Sequence, residues 1–368
     1  MSENTVAVAM SGGVDSSVAA ALLVEQGYRV FGVMLRLWSE PGREESNRCC
    51  TPDSMAQARR VADQLKIPFY AINAQEIFRQ VVVEHFFEGY RRGITPNPCL
   101  LCNRFIRWDY LLNHAEAMGA EKMATGHYAR IRVVNSSVKL LKGIDENKDQ
   151  SYVLSVLSQD QLKKTLLPVG ELTKPQVREI ARAFGLPVAE RHDSQDLCFL
   201  AGQDYRDFLK RHAPDVMQPG KIINLKGEIV GEHQGLGFYT IGQRKGLGIF
   251  APNPYYVVDK IPEDNILVVG EESDLQFFGL IADNVNWIAG MPPDRAFRAE
   301  VKIRYKARLV SSVVEVLEEN TLRIWFDHPL RDVTPGQRVV MYEGEEVLGG
   351  GVIRQGIREI HGKEVSWG

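Results

Sequence analysis

The chain has 368 residues, 44% hydrophobic and 25% charged, with a formal net charge of −3. That composition belongs to a folded protein with room for two or three domains, and it excludes disordered and fibrous classes. No apolar run approaches the ~20 residues that cross a bilayer. The first residues carry no basic leader, and an odd cysteine count of five argues against a disulfide framework. The expectation is a cytoplasmic protein with no membrane partner, whose thiols serve chemistry or metal.

The N-terminal part alternates strand and helix. Val6 to Met10 is a short apolar run, read as a buried strand. Asp15 to Gln26 carries Val18, Leu22 and Leu23 at helical spacing and ends at Gly27, a C-cap glycine. A strand is predicted over Tyr28 to Leu35. A helix follows over Asp53 to Leu65, with Ala58, Val61, Ala62 and Leu65 on one face. Phe69 to Ala74 reads as strand, Gln75 to Arg91 as helix, Cys102 to Met118 as helix stopped by Gly119, and Lys122 to Arg130 as strand. Such alternation implies an α/β fold with a parallel sheet covered on both faces. Lys174 to His212 is again helical. From Lys221 onward, short β-rich runs alternate with Gly, Pro, Asn and Asp. The expected division is a catalytic domain over 1–205, a small central β-rich domain over 206–275 and a C-terminal β-barrel-like domain over 276–368.

The first strand runs into Ser11-Gly12-Gly13-Val14-Asp15-Ser16-Ser17 and then a helix. Glycines there let the backbone turn tightly and approach an anion. Amides and the dipole at the helix start then hold it. Neither the Walker A pattern nor GxGxxG is present. Asp15 suits either a Mg²⁺ site or a helix cap. The string SGGVDSS resembles the PP-loop of the ATP pyrophosphatases, which cleave ATP between the α and β phosphates.

Further motifs follow in order: "TPNPCLLCN" (95–103), "ATGHYAR" (124–130), "NKDQSYVL" (147–154), "PVGELTKPQVR" (168–178), "DSQDLCF" (193–199), "GQRKGLG" (242–248), "PGQ" (335–337) and "LGGG" (348–351). Together they resemble the tRNA-specific 2-thiouridylases, over essentially the whole chain. The resemblance implies an adenine nucleotide alpha hydrolase-like sheet domain and ATP-dependent 2-thiolation of a wobble uridine. Its partners would be tRNA and a sulfur donor such as a cysteine desulfurase or a sulfur relay carrier. It implies that Ala9, Met10, Ser11, Gly12, Gly13, Val14, Asp15 and Ser16 bind ATP phosphates, with Mg²⁺, and that Met34 and Gly126 line the adenosine. It places Asn97, Pro98 and Cys99 against the target base, Cys102 as the catalytic cysteine and Cys198 as its persulfide-bearing partner. It assigns His127, Lys148, Asp149, Gln150, Arg304, Tyr305 and Gln337 to tRNA contact, and Arg244 and Lys245 of the glycine-flanked loop to the same role.

Many relatives carry Asp where Cys99 stands. The third thiol raises three readings: a 4Fe-4S cluster on Cys99, Cys102 and Cys198; a metal-free Cys102–Cys198 persulfide relay; or zinc, which lacks a fourth ligand. Cys49 and Cys50, ahead of a helix, are read as local structure. Finally, Arg298, Lys302, Arg304, Lys306 and Arg308 occupy even positions of "FRAEVKIRYKARLV", with Val301, Ile303, Tyr305, Ala307 and Leu309 at odd ones. On one strand that pattern gives a cationic face spaced for phosphates and an apolar face for the core.

Overall fold

In the computed structural model, residues 4–42, 51–135, 137–191, 197–200, 202–318 and 320–358 are described. Cys49, Cys50 and residues 193–196 of the "DSQDLCF" motif lie outside them.

Strands β1 (Thr5–Ala9), β2 (Arg29–Arg36), β3 (Phe69–Asn73) and β4 (Lys122–Ala124) form the parallel sheet expected from the alternation. The hairpin β5 (Ala129–Val134) and β6 (Ser137–Lys142) leaves this sheet, and β7 (Thr165–Leu166) returns to its edge. The resulting order is β3-β2-β1-β4-β7. Successive strands run outward from β1 in both directions, so the chain reverses its winding between β1 and β4. A crevice at the carboxyl ends of such strands is where α/β sheets bind ligands. Helix α1 (Val14–Glu25) follows β1, and α2 (Pro52–Leu65) covers the same face. Gly27 adopts φ +82°, as a helix-terminating glycine requires.

Two sequence expectations change here. The run from Lys122 to Arg130 is not one strand: it breaks at Thr125–Tyr128, because Gly126 lies against the start of α1. The cysteine helix begins at Pro98 rather than Cys102, since proline fits the first helical turn, where its missing N–H is not needed. It continues without interruption through a π-helical stretch, Cys102–Leu111, to Ala117. A second π-helical turn, Arg79–Val83, interrupts the helix before it. Such i→i+5 segments are rare and concentrate at functional sites.

The central sheet contains β8 (Gly220–Asn224), β9 (Ile229–His233), β10 (Tyr256–Ile261) and β11 (Ile266–Gly270) in the order β10-β11-β8-β9. The C-terminal strands are β12 (Phe277–Trp287), β13 (Ala296–Lys302), β14 (Val310–Glu318), β15 (Thr321–Leu330), β16 (Arg338–Glu343) and β17 (Glu346–Ile357). They pair in the ring β12-β15-β14-β13-β16-β17, and β17 pairs back to β12, closing a six-stranded barrel. The basic row is therefore cut short. β13 ends at Lys302, and residues 303–309 form a turn, so Arg304, Lys306 and Arg308 do not continue a strand face. Arg298 pairs with Asp327, and Arg304 lies 3.5 Å from Asp332.

The units share cores rather than merely touching. The hairpin joins the barrel through Leu141 opposite Glu346, reinforced by Arg130 on Glu345 at 2.7 Å. Beneath it, Leu140, Trp108 and Tyr152 pack with Val340, Tyr342 and Val347 of the barrel. A second cluster packs Phe78, Phe86, Cys102, Phe199 and Phe208 against Ile222, Val257 and Leu267 of the central sheet. No helix among the described residues is long and apolar enough to cross a membrane.

Leu140 is fully buried at the seam between catalytic domain and barrel. Leu140→Ala is expected to cost about 2–5 kcal/mol, read as a lower urea midpoint for the intact chain with an unchanged slope.

Candidate active site

At the end of β1 the chain turns through Ser11, Gly12 and Gly13 into α1. Gly12 has φ +73°, and a Cβ there would sit 2.3 Å from the Ser54 carbonyl oxygen, so no other residue fits. The Ser16 hydroxyl accepts from the Ser11 amide at 3.2 Å, and Ser17 Oγ donates to the Gly13 carbonyl at 2.8 Å. Gly13 is the N-cap of α1 and makes no side-chain cap bond. The amides of the first turn thus face the crevice with the positive end of a 12-residue helix behind them. Ser11 is exposed at the mouth, whereas Met10 and Met34 are only 2% exposed and serve as core under the loop. Ala9 and Val14 pack likewise, as partly and fully buried residues.

Asp15 does not cap the helix. Its carboxylate accepts from Lys174 Nζ at 2.7 and 2.9 Å and from the Tyr128 hydroxyl at 2.6 Å. Lys174 is 8% exposed. It opens helix α3 (Lys174–Ala183), behind a Thr173–Gln176 capping box. Neither Lys174 nor Tyr128 stood out in the sequence. The signal was there in "ELTKPQVR", where a capping Thr sets a lysine at the first helical position, but its target across the fold was not legible.

Gly126 explains the rest of the packing. A Cβ on it would lie 2.6 Å from both the Asp15 carbonyl carbon and the Ser16 nitrogen. The β4 loop therefore presses backbone to backbone on the β1 loop. Gln150 holds the neighbouring Tyr128 from both sides, accepting from its amide at 3.0 Å and donating its own amide to the Tyr128 carbonyl at 2.8 Å.

The thiol helix is tied to this loop by side chains. Arg107 donates to Asn103 Oδ1 at 2.6 Å and lies 3.3 Å from His127 Nε2, while His127 Nδ1 is 2.7 Å from Thr125 Oγ1. Asn103 in turn donates to the Val153 carbonyl at 3.0 Å. A continuous run of contacts thus leads from Cys102–Asn103 through Arg107 and His127 to Gly126 and the glycine loop. Burial, and then the Arg107 charge, hold His127 well below the ordinary histidine range.

Pro98 is buried, Asn97 half-buried and Cys99 exposed, one turn before the buried Cys102. Cys198 sits half-buried at the start of a short 3-10 turn, Cys198–Leu200, and packs against the same apolar cluster as Cys102. A cluster or zinc ligand set on the three thiols finds no support in their arrangement. Among the described residues, no group of three or more His, Cys, Asp or Glu side chains is placed to hold a metal. Cys102 lies in an apolar cluster rich in aromatic side chains, whereas Cys99, one turn earlier, is exposed.

The residues assigned to tRNA fall into two groups. Asp149 is buried, accepting from Gly143 N, Ser151 N and Ser151 Oγ at 2.9–3.1 Å; with buried His127 and bracketing Gln150 it is committed inside the chain. Lys148 is half-buried, while Arg304, Tyr305, Arg244 and Lys245 are exposed. Gln337 donates to the Thr95 carbonyl at 2.9 Å, so the "PGQ" turn of the barrel grips the segment before Cys99. Although its ring is partly exposed, the Tyr305 hydroxyl is pushed up to about 12, first by desolvation and then by nearby Asp149 and Cys99.

Residues 4–202 match the family described as "tRNA methyl transferase HUP domain", residues 206–271 a "PRC-barrel domain" of the same series and residues 278–353 an "Aminomethyltransferase beta-barrel domain". The chain is 48% identical over 357 residues to the tRNA-specific 2-thiouridylase MnmA of Carboxydothermus hydrogenoformans, covering 95% of this chain and 97% of that one. It is 46% identical over 365 residues to the protein of that name from Symbiobacterium thermophilum, covering 96% and 92%.

Because His127 is held neutral inside, the unfolded chain takes up a proton near pH 6.5 that the folded chain refuses. Stability from this site is complete above that pH and falls as pH drops below it, by up to ~1.4 kcal/mol per unit. Unfolding curves between neutral and mildly acidic pH should show a shallower loss for His127→Gln than for the wild type.

Proposed function

Since the chain belongs to the tRNA-specific 2-thiouridylase family, we propose that it is an ATP-dependent tRNA sulfurtransferase that converts the C2 oxygen of a wobble uridine to sulfur. The observation that carries this reading is the unbroken set of contacts from the anion-binding loop to the cysteine helix. It links the loop suited to phosphate with the helix that carries the thiols, which supports both acting at one crevice.

In this reading the uracil C2 oxygen attacks the α-phosphorus of ATP and pyrophosphate departs. Amides of Gly12, Gly13 and the first turn of α1 receive the departing charge. Lys174 turns from Asp15 toward the phosphates, which frees the Asp15 carboxylate, a hard oxygen donor, for the Mg²⁺ that accompanies ATP. Adenylation gives C2 a leaving group that a carbonyl oxygen lacks. Asn97, Pro98 and Cys99, at an exposed helix start, meet the unstacked base; an anticodon loop offers such a base without breaking a duplex.

Sulfur arrives from a donor protein, a cysteine desulfurase or a relay carrier, as a persulfide on Cys198. Its terminal sulfur attacks C2 and AMP leaves. The Cys102 thiolate then attacks the Cys198 sulfur, which breaks the S–S bond to the transferred atom and leaves C2=S on the base. The resulting Cys102–Cys198 disulfide is reduced by an external thiol. Packing of both cysteines on one apolar cluster supports this relay; no step is routed through a metal cluster.

The test combines tRNA transcript, ATP and a persulfide donor. Mass spectrometry of the RNA should show 2-thiouridine, with one AMP and one pyrophosphate per thiolation, and pyrophosphate release should require tRNA. Cys102→Ser and Cys198→Ser are expected to bind tRNA and yield no thiouridine. A normal thiolation rate in either would remove that cysteine from the relay, and tRNA-independent pyrophosphate release would point to a small-molecule ligase instead.

Lys174→Met should lower kcat/KM for ATP by about 10²–10³-fold, the usual scale for one charge-stabilising donor. An unchanged value would restrict Lys174 to holding Asp15.

A further inference from the structure

The central domain carries a cleft that the reaction above does not use. Its walls are helix α4 (Tyr205–His212) and the loop that follows "GQRKG". The cavity is about 280 Å³, just under the usual range for ligand sites and suited to a single nucleotide. Arg206 and Lys210 line the α4 wall, Phe238 and Tyr239 the floor, and Gly246 and Gly248 the opposite rim. One acid, Glu232, is also present.

Three observations point to an anionic, aromatic ligand. First, the Nε of Arg206 is buried, and no acceptor among the described residues reaches it. The Tyr205 side chain engages the same guanidinium, so this N–H is the group left over for a water, an ion or a ligand in the cleft. Among the described residues, Lys210 pairs with exposed Asp207 at 3.2 Å, a surface pair worth little and easily exchanged for phosphate. Second, Gly246 and Gly248 take φ +78° and +69°. They bring bare backbone to the rim, where a ligand can approach closely. Third, the same loop exposes Arg244 and Lys245 and then Phe250, whose ring is fully in solvent at 102% relative exposure. An aromatic side chain held in water beside a cationic loop fits the platform on which a single-stranded base stacks.

We infer that this cleft and Phe250 form a second nucleotide site, which takes an unpaired nucleotide of the tRNA away from the uridine being modified. The phosphodiester lies on Arg206 and Lys210, and a base stacks on Phe250. The inference rests on the tRNA reading above and deepens it: it gives the central domain a role in choosing RNA by the shape of a second unpaired position.

The test uses the full chain and an unmodified tRNA transcript with a wobble uridine. Phe250→Ala should weaken tRNA binding roughly 5-fold or more, from ~1–3 kcal/mol per stacked base. Phe250→Trp should restore binding, and its added emission over wild type should be quenched when tRNA saturates the protein. Arg206→Ala should weaken binding and lower the salt slope by about one. The inference falls if Phe250→Ala and Arg206→Ala bind tRNA like wild type, or if the Phe250→Trp emission does not change at saturation. It also falls, in favour of protein docking, if that emission is quenched by a purified cysteine desulfurase and not by tRNA. Wild-type thiolation is measured beside these variants. Normal thiolation with unaffected variants removes only the second site, whereas a wild type that neither binds nor thiolates tRNA removes the parent reading too.

Discussion

The segment Gly93–Pro96 is held by all three parts of the molecule, and the placement of the thiols depends on that grip. From the central sheet, half-buried Lys260 donates to the Gly93 carbonyl at 2.9 Å. From the barrel, the Pro335 carbonyl accepts from the Thr95 amide at 3.1 Å and Gln337 donates back to the Thr95 carbonyl. Within the catalytic domain, the Ile94 amide donates to the Gly89 carbonyl. A short loop with its polar groups so fully committed can enter the next helix in only one direction. That direction puts Cys99 outward and Cys102 into the shared apolar cluster. The grip is tuned by burial, which pulls the Lys260 amine down to about 7, so this cation carries a desolvation cost that the surrounding packing must offset.

The glycine loop is positioned by a different kind of constraint, the absence of side chains. Gly12 and Gly126 each touch backbone at distances that no Cβ permits. Gly126, set against Asp15 and Ser16, joins the ends of β1 and β4, whereas Gly12 seats the loop on Ser54 of α2. The Asp15–Lys174–Tyr128 group then anchors that surface to α3. A buried ammonium held at 2.7 Å from a partly exposed carboxylate is satisfied at rest, and in the proposed reaction it exchanges that partner for phosphate. The glycine-loop end of the crevice is thus held by charge, while the thiol end is fixed by packing.

The barrel is more than an appendage. Its strand β17 extends to the β5–β6 hairpin, its inner residues complete the core around Tyr152, and its "PGQ" turn reaches the cysteine loop. Residues assigned to RNA by resemblance divide accordingly. Asp149, His127 and Gln150 build the platform from within, whereas Arg304, Tyr305, Arg244 and Lys245 face out. A motif of adjacent polar residues can serve as scaffold and as contact surface, and burial separates the two.

What the sequence determined by itself was everything carried by local spacing. Alternating strand and helix gave the parallel sheet, SGGVDSS gave the tight glycine turn into α1, Gly27 gave the end of that helix, and the ordered motifs gave the family. What it could not determine lay in long-range placement. Lys174 is 159 residues from Asp15, and nothing in either neighbourhood names the other. The even-numbered cations after Lys302 had the period of a strand, yet the chain turns there because the barrel ends β13 at that residue. Three cysteines suggested a ligand set, and the fold does not gather one among the described residues. Period and composition report what a segment can bury; which groups meet is settled only when separate segments compete for one core and one set of hydrogen bonds.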